Sequence, residues 1–371
     1  MDWVAWSAAR LEEIAAAGRT RRPRDFDALG PLGRIDGRSV VSFASNDYLG
    51  LSRHPRVIAG AGHALETWGA GSGSARLIVG SRPIHSELER AIAEWKGKER
   101  ALLFPNGYAA NLGVLTTFGT AGTLICSDEL NHASIVDGCR MSKAAVAVYP
   151  HRDMDALDAL LRTAERSIVV SDSVFSMDGD VAPLGDLTEV CRRHGSLLVL
   201  DEAHAVLGPE PERTEDVDRI RVGTLSKFLG AMGGFVAADS RLIDLLTNQA
   251  RSFIFTTAAS PADCGAALVA LNVLRSDEGR SMIDRLRGHV QRVAPGHPSP
   301  IIPVLIGDET EAVAASEHLL ERGYLVPAIR PPSVAPGTSR LRVTLSAAHT
   351  EEQVEGLLAV LHEIEPLSIG A

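Results

Sequence analysis

Cysteine is scarce in this chain: four in 371 residues (Cys126, Cys139, Cys191 and Cys264), with no CxxC pair among them. They are too few and too scattered for a disulfide framework or a zinc site, so a reducing compartment, the cytoplasm, is expected. Long apolar runs are missing as well. None approaches the ~20 residues that a membrane-spanning helix needs, and no membrane partner is expected. A basic surplus is also absent. Lys and Arg number 37 against 47 Asp and Glu, a net charge of −10. Nucleic acid is therefore not an expected partner, because phosphate backbones are held by an excess of cations on one face. There is no HExxH, no GxSxG and no GxxxxGK[ST] string, which leaves metalloprotease, serine-hydrolase and P-loop readings without support. The N-terminal stretch MDWVAWSAARLEEIAAAGRTRR carries Glu12 and Glu13 inside its apolar part and arginines after it. A signal peptide has the reverse order, so a short amphipathic helix is expected there.

Hydrophobic residues make up 45% of the chain and charged residues 23%, enough apolar matter for a sizeable core. Residues 1–50 form a lead-in with a helix, an arginine-rich turn and a strand at Val40–Ala44. From 51 to 260, short runs rich in Val, Ile and Leu alternate with helical stretches: Thr123–Cys126, Ala145–Tyr149, Ser167–Ser171, Leu197–Leu200 and Arg221–Thr224. Such runs suit strands covered on both faces, and the alternation predicts a large, mostly parallel sheet with helices on both sides. From 261 to 371 the texture changes to a smaller α+β unit: two helices, a strand at Ile301–Ile306, a helix at Glu309–Arg322, strands near Leu325 and at Leu341–Leu345, and a closing helix at Glu351–Ile364.

In open α/β sheets the ligand site lies beyond the carboxyl ends of the strands. Four such ends carry polar sets: Asp128 with His132, Asp172 with Ser176, Asp201 with His204, and Thr224 with Lys227. Taken alone, an Asp after a strand is usually a helix cap and a lone His a satisfied structural residue. Four compatible sets outweigh that reading. Lys227 and Asp201 together suit pyridoxal phosphate, which needs an amine for a Schiff base and a carboxylate that keeps its ring nitrogen protonated. His132 offers a flat stacking surface. Gly107 and Tyr108, opening a helix after the strand-like Ala101–Phe104, offer backbone donors for a phosphate, with hydroxyls from Thr224 and Ser176.

The strings SNDYLGL (Ser45–Leu51), GAGSGSARLIVG (Gly69–Gly80), NGYAAN (Asn106–Asn111), NHAS (Asn131–Ser134), DSVFSMDGD (Asp172–Asp180), LDEAH (Leu200–His204) and GTLSK (Gly223–Lys227) span almost the whole chain. On these the chain resembles the α-oxoamine synthases, enzymes of the aminotransferase-like fold type I that condense an amino acid with an acyl thioester and release carbon dioxide. The C-terminal string IRPPSVAPGTSRLRVTLSAAHT (Ile329–Thr350) is most similar to the biotin-pathway members. The resemblance implies pyridoxal phosphate as cofactor, and L-alanine and a pimeloyl thioester, on coenzyme A or acyl carrier protein, as substrates. It implies that Lys227 carries the cofactor, Asp201 faces the ring nitrogen, His204 bonds the ring oxygen and His132 stacks on the ring. Gly107, Tyr108, Ser176 and Thr224 match further cofactor contacts. Thr257 matches a residue that reaches a neighbouring subunit's phosphate, which implies a homodimer with shared sites. Asn46 and Arg342 match groups near the amino-acid carboxylate, and Arg19 and Ser333 match acyl contacts.

Three positions depart from the family pattern. Ala205 follows Asp-Glu-Ala-His where Gly is usual, the stretch VLGPEPERTEDVDRIRVG lacks a Gly-Arg-Gly loop and is short, and Asn131 stands in place of Ser. None removes a catalytic group; the short loop bears on the choice of acyl chain. Glycine with acetyl-CoA is the nearest alternative chemistry, which Ile329–Thr350 disfavours. A nucleotide-binding oxidoreductase would need GxGxxG within Gly69–Gly80, but Ser74 and Arg76 occupy the places of the last glycine. A silent scaffold would lack the lysine or the aspartate, and both are present.

Overall fold

The structure, a computed structural model, describes residues 2–212 and 216–364, and the backbone of 368–369. Part of the short stretch before Arg219, residues 213–215, lies outside the described residues. The chain opens with helix α1 (Trp3–Ala16), capped by the Asp2 carboxylate at the N–H of Val4. Three antiparallel strands follow: β1 (Phe26–Leu29), β2 (Leu32–Ile35) and β3 (Arg38–Ser42). The β2–β3 turn is Asp36-Gly37, both at positive φ (49° and 79°), the dipeptide and backbone that a tight hairpin prefers. That signal stands in the sequence, and it moves the strand expected at Val40–Ala44 two residues earlier.

Helices α2 (Pro55–Trp68) and α3 (Pro83–Lys96) both begin with proline, which has no N–H to lose at that position. After them come β4 (Arg100–Phe104), α4 (Gly107–Phe118), β5 (Leu124–Asp128), α5 (Ala133–Met141), β6 (Ala145–Tyr149), α6 (Met154–Leu161) and β7 (Ser167–Asp172). Next are α7 (Leu184–His194), β8 (Leu197–Asp201), β9 (Arg219–Thr224), β10 (Gly234–Ala238), α8 (Ser240–Gln249) and α9 (Arg251–Ile254). These strands form one seven-stranded sheet in the order β4-β10-β9-β8-β7-β5-β6. Five neighbours run parallel from β9 to β6, and β10 lies antiparallel between β9 and β4. Every residue of β7, β9 and β10 is buried, as expected of strands covered on both faces.

The rest comprises α10 (Pro261–Leu274), α11 (Asp277–Val293), β11 (Ile301–Gly307), α12 (Glu309–Glu321), β12 (Tyr324–Leu325), β13 (Ala328–Ile329), β14 (Ser339–Thr344), α13 (Glu351–Leu361) and β15 (Ser368–Ile369). A second sheet has the order β13-β14-β11-β15. The third joins the two ends of the chain: β12 pairs in parallel with β3, Tyr324 opposite Val41. Helix α10 packs along α2 and α3, where Gly60 and Gly265 let the two backbones come close; a Cβ on Gly265 would sit 2.6 Å from the Gly60 carbonyl oxygen. One apolar core runs through α2, α3, α10, α11 and the sheet of β11 and β14. No helix of the described residues is long and apolar enough to cross a membrane.

Candidate active site

Asp128, Asp172, Asp201 and Thr224 are the last residues of β5, β7, β8 and β9, rather than lying beyond the strands as the sequence suggested for the three acids. Pairing continues one or two residues past the apolar run, since backbone hydrogen bonding does not depend on side-chain polarity. Asp172 and Asp201 stand opposite each other in register, two buried carboxyls on adjacent strands. Burial, reinforced by the Asp201 charge, pushes Asp172 well above the usual carboxyl range. Its Oδ2 accepts the His132 N–H at 2.8 Å, and its own N–H donates to Asn131 Oδ1 at 2.8 Å. The Asn131 amide also donates to Ser127 Oγ and to the Val170 carbonyl, both at 2.9 Å. The asparagine that departs from the family pattern thus braces β5 against β7 and sets the start of the His132 loop.

Asp201 accepts from the Ala203 N–H at 2.8 Å and from Asn111 Nδ2 at 2.6 Å. Glu202 turns to the other face of the strand and is buried against Lys96, at 2.8 Å, and Arg221, which accounts structurally for the acid beside Asp201. Lys227 Nζ meets His204 Nε2 at 2.9 Å, and His204 Nδ1 meets the Tyr48 hydroxyl at 2.5 Å. Tyr48 in turn donates to Asn46 Oδ1 at 3.1 Å, an oxygen that also receives Arg342 Nη2 at 3.1 Å. Burial holds His204 well below the ordinary imidazole range, with Lys227 and Arg342 adding to the effect. Lys227 is lowered too, mainly by burial, against the opposing pull of Asp201 and Asp172. Arg342 further donates to the Ser176 carbonyl at 2.5 Å and to Thr344 Oγ1 at 2.8 Å. Three of its five N–H donors are thereby used and two remain.

The phosphate end has a matching shape. Gly107 is the first residue of α4, and Asn106 caps the helix by accepting from the Ala109 N–H. The N–H groups of Gly107 and Tyr108 have no carbonyl behind them in the helix and carry its positive end. A Cβ on Gly107 would enter the gap in front of Thr224, 3.9 Å from Oγ1. The hydroxyls of Thr224 and Ser226 lie 2.7 Å apart there. A buried acid, an amine of lowered basicity and an anion cradle together fit pyridoxal phosphate.

The structure therefore brings together Lys227, Asp201, His132, His204, Ser176, Asn46 and Arg342, with Gly107 and Thr224 at the cradle. Tyr108 is exposed, and its hydroxyl donates to the Asp137 carboxylate. Three expected residues stand apart. Thr257 is exposed and makes no bond to this group among the described residues. Arg19 pairs with Glu309 at 2.9 Å. Ser333 lines an open cavity of about 1180 Å³ that begins at His132 and Ser176 and extends to Arg140, His297 and Arg340. Two site residues were not singled out from sequence, Tyr48 and Asn111. Both sit inside matched strings, and only the fold shows what they touch.

The family model for aminotransferase class I and II matches residues 38–361. The chain is 48% identical over 389 residues to the 8-amino-7-oxononanoate synthase of Anaeromyxobacter sp. (strain K), across 99% of this chain and 96% of that protein. It is 44% identical to the 8-amino-7-oxononanoate synthase of Burkholderia thailandensis, with each chain covered in full, 100%. Among solved structures, the serine palmitoyltransferase of Sphingomonas wittichii superposes with a TM-score of 0.90 at 31% identity, over 98% of both chains. That of S. paucimobilis, solved with a bound PLP–myriocin aldimine, gives 0.90 at 28%, also over 98% of both chains. The 8-amino-7-oxononanoate synthase of Francisella tularensis shares the fold, with a TM-score of 0.73 at 24% identity, over 87% of this chain and 97% of that one.

Proposed function

The chain belongs to the class I and II aminotransferase family, and we infer that within it this protein condenses L-alanine with a pimeloyl thioester to give 8-amino-7-oxononanoate, carbon dioxide and the free thiol, a step of biotin biosynthesis. The observation that carries this is the meeting of Lys227, Asp201, His132 and His204 beside an anion cradle, in a chain whose full-length identity of 44–48% is to synthases of that product. The chemistry that bound pyridoxal phosphate supplies is an electron sink, which makes the α-carbon of an amino acid acidic enough to lose a proton near neutral pH.

Every other task falls to the chain. Lys227 would hold the cofactor and, when free, would move the α-proton; burial lowers its basicity, which suits that task. Asp201 would hold the cofactor's ring nitrogen as a cation, and His132 would help to hold the ring. The two spare Arg342 donors and Asn46 take the alanine carboxylate. His204, kept neutral by burial, exchanges hydrogen bonds between Lys227 and Tyr48. Ser176, beside the Arg342 donor, and Ser333 line the cavity from which the acyl group arrives.

Support for a homodimer comes from the surface. Leu77, Ile78, Val79 and Phe255 are exposed by 51–73% on two adjoining segments, and Thr257 follows directly. A contiguous apolar patch of this kind marks an interface, and a partner seated there would place Thr257 at its neighbour's phosphate. The four cysteines are buried free thiols, which suits the cytoplasm.

Serine with a long-chain acyl thioester is the second reading, favoured by the serine palmitoyltransferase backbones at a TM-score of 0.90. The sequence identity to those proteins is 28–31%, well under that to the synthases. The test offers the PLP-loaded protein alanine, serine or glycine, each with pimeloyl, palmitoyl or acetyl thioester, and reads the product mass. 8-Amino-7-oxononanoate from alanine is expected; turnover confined to serine or to glycine would overturn the assignment.

A further inference from the structure

Helix α4 presents two features on one face. Gly107 opens the phosphate cradle, and Asn111, four residues on and ~6 Å along the axis, reaches the acid at the ring nitrogen. The Asn111 side chain is 1% exposed. Its Nδ2 donates both protons, to Asp201 Oδ2 at 2.6 Å and to Ser134 Oγ at 2.9 Å. Its Oδ1 is buried without a partner among the described residues. Rotating the amide would satisfy that oxygen at the Ser134 hydroxyl but would press it against a carboxylate, so the two donors fix the orientation. A bare buried acceptor is a cost that an apolar side chain would not carry; the position is occupied for its donors.

The chain of bonds continues. Ser134 Oγ lies 2.8 Å from His132 Nδ1, and the Ser134 backbone N–H donates to the same nitrogen at 3.2 Å. A nitrogen that receives a backbone N–H is an acceptor, so the Ser134 hydroxyl, which accepts from Asn111, donates onward to it. His132, lowered in pKa by burial, is thereby held neutral with its proton on Nε2.

We propose that Asn111 is a positioning residue which, through its two amide protons, holds the Asp201 carboxylate and, by way of the Ser134 hydroxyl, fixes His132 as the Nε2–H tautomer. The groups on the edge and the face of the cofactor ring then act as one hydrogen-bonded unit. This rests on the reading that the site takes pyridoxal phosphate.

The test compares wild type, Asn111→Ala, Ser134→Ala and the double variant by fluorescence titration with PLP and by 15N NMR of histidine-labelled protein. Wild type shows the Nε2–H signature at His132, and in both single variants, where only the longer 3.2 Å backbone N–H still meets Nδ1, that signature gives way to a mixture of tautomers. Asn111→Ala binds PLP ~10-fold more weakly, the effect of one lost hydrogen bond to a charged group. Ser134→Ala weakens binding further by less than about twofold in the Asn111→Ala background, because the chain is already cut. Independent, multiplying losses, or an unmoved tautomer in either variant, overturn the proposal. Should Asn111→Ala fail to fold, Ser134→Ala decides alone: retention of the tautomer contradicts it and loss supports it. A wild-type protein that does not bind PLP overturns the cofactor reading with it, whereas normal PLP binding with an unmoved tautomer removes only the proposal.

Discussion

Asp172 and Asp201 have the same side chain on neighbouring strands and take different tasks. Burial next to a second carboxyl raises the Asp172 carboxyl, and its contact with the loop is that of an acceptor for the His132 N–H, a task an asparagine oxygen also fills. Asp172→Asn should therefore keep kcat within about threefold of wild type. Asp201→Asn should lose ~100-fold or more, because an amide cannot stabilise a cationic ring nitrogen. Steady-state kinetics on the two variants check both, and equal losses would contradict the assignment. Tyr48→Phe leaves His204 Nδ1 without its 2.5 Å partner. A kcat reduced ~10-fold is expected, as one hydrogen bond of ~1.4 kcal/mol is lost from the group facing Lys227. Most of this site is legible in the sequence, because chemistry-bearing residues follow strand-like runs at Asp172, Asp201 and Thr224. Tyr48 and Asn111 are not legible in the same way. A buried amide within a helix and a tyrosine in a turn look like packing until a partner 90 or 156 positions away is seen to reach them.

At the scale of elements, the ends of β5, β6 and β7 are clasped by one imidazole. His151 Nδ1 meets Asp128 at 2.9 Å and Nε2 meets Asp180 at 2.8 Å. Burial works against its charge, but the two carboxylates outweigh it and raise the group from 6.5 to about 9. A raised folded pKa contributes stability that is fully present below the unfolded value and fades as pH rises through the folded one. The melting-temperature gap between wild type and His151→Gln should accordingly be widest below pH 6.5 and close above pH 9. A gap that is constant with pH would show packing alone. This clasp is hidden in the sequence, since Asp128 ends β5 whereas His151 and Asp180 lie in the loops after β6 and β7. The parallel strands themselves are visible, being runs of Val, Ile and Leu. Of the N-terminal meander only the last strand, expected at Val40–Ala44, is visible in the sequence; β1 and β2 alternate exposed residues with more covered ones, a weak pattern, although Asp36-Gly37 marks the turn.

At the scale of the whole molecule, the N-terminal strands pair with the C-terminal part and not with the strands of the large sheet. Strand β3 pairs with β12, and Arg330 donates to the Gly18 carbonyl at 2.6 Å. We propose that residues 1–50 and 261–371 act together as a cap beside the large sheet, a division no local pattern in the sequence reveals. The apolar patch of Ile78 and Phe255, 73% and 70% exposed, belongs to this scale as well. Phe255→Glu should convert a dimer to a monomer in light scattering and abolish turnover together with it; a fully active wild-type monomer would contradict shared sites.

The account depends most on which amine holds the cofactor. Borohydride reduction of the PLP-loaded protein, followed by peptide mass mapping, reads this directly. The pyridoxyl mass is predicted on Lys227, and its loss in Lys227→Ala should leave the protein unlabelled. A label on any other lysine of the folded wild-type protein, or none at saturating PLP, would contradict it.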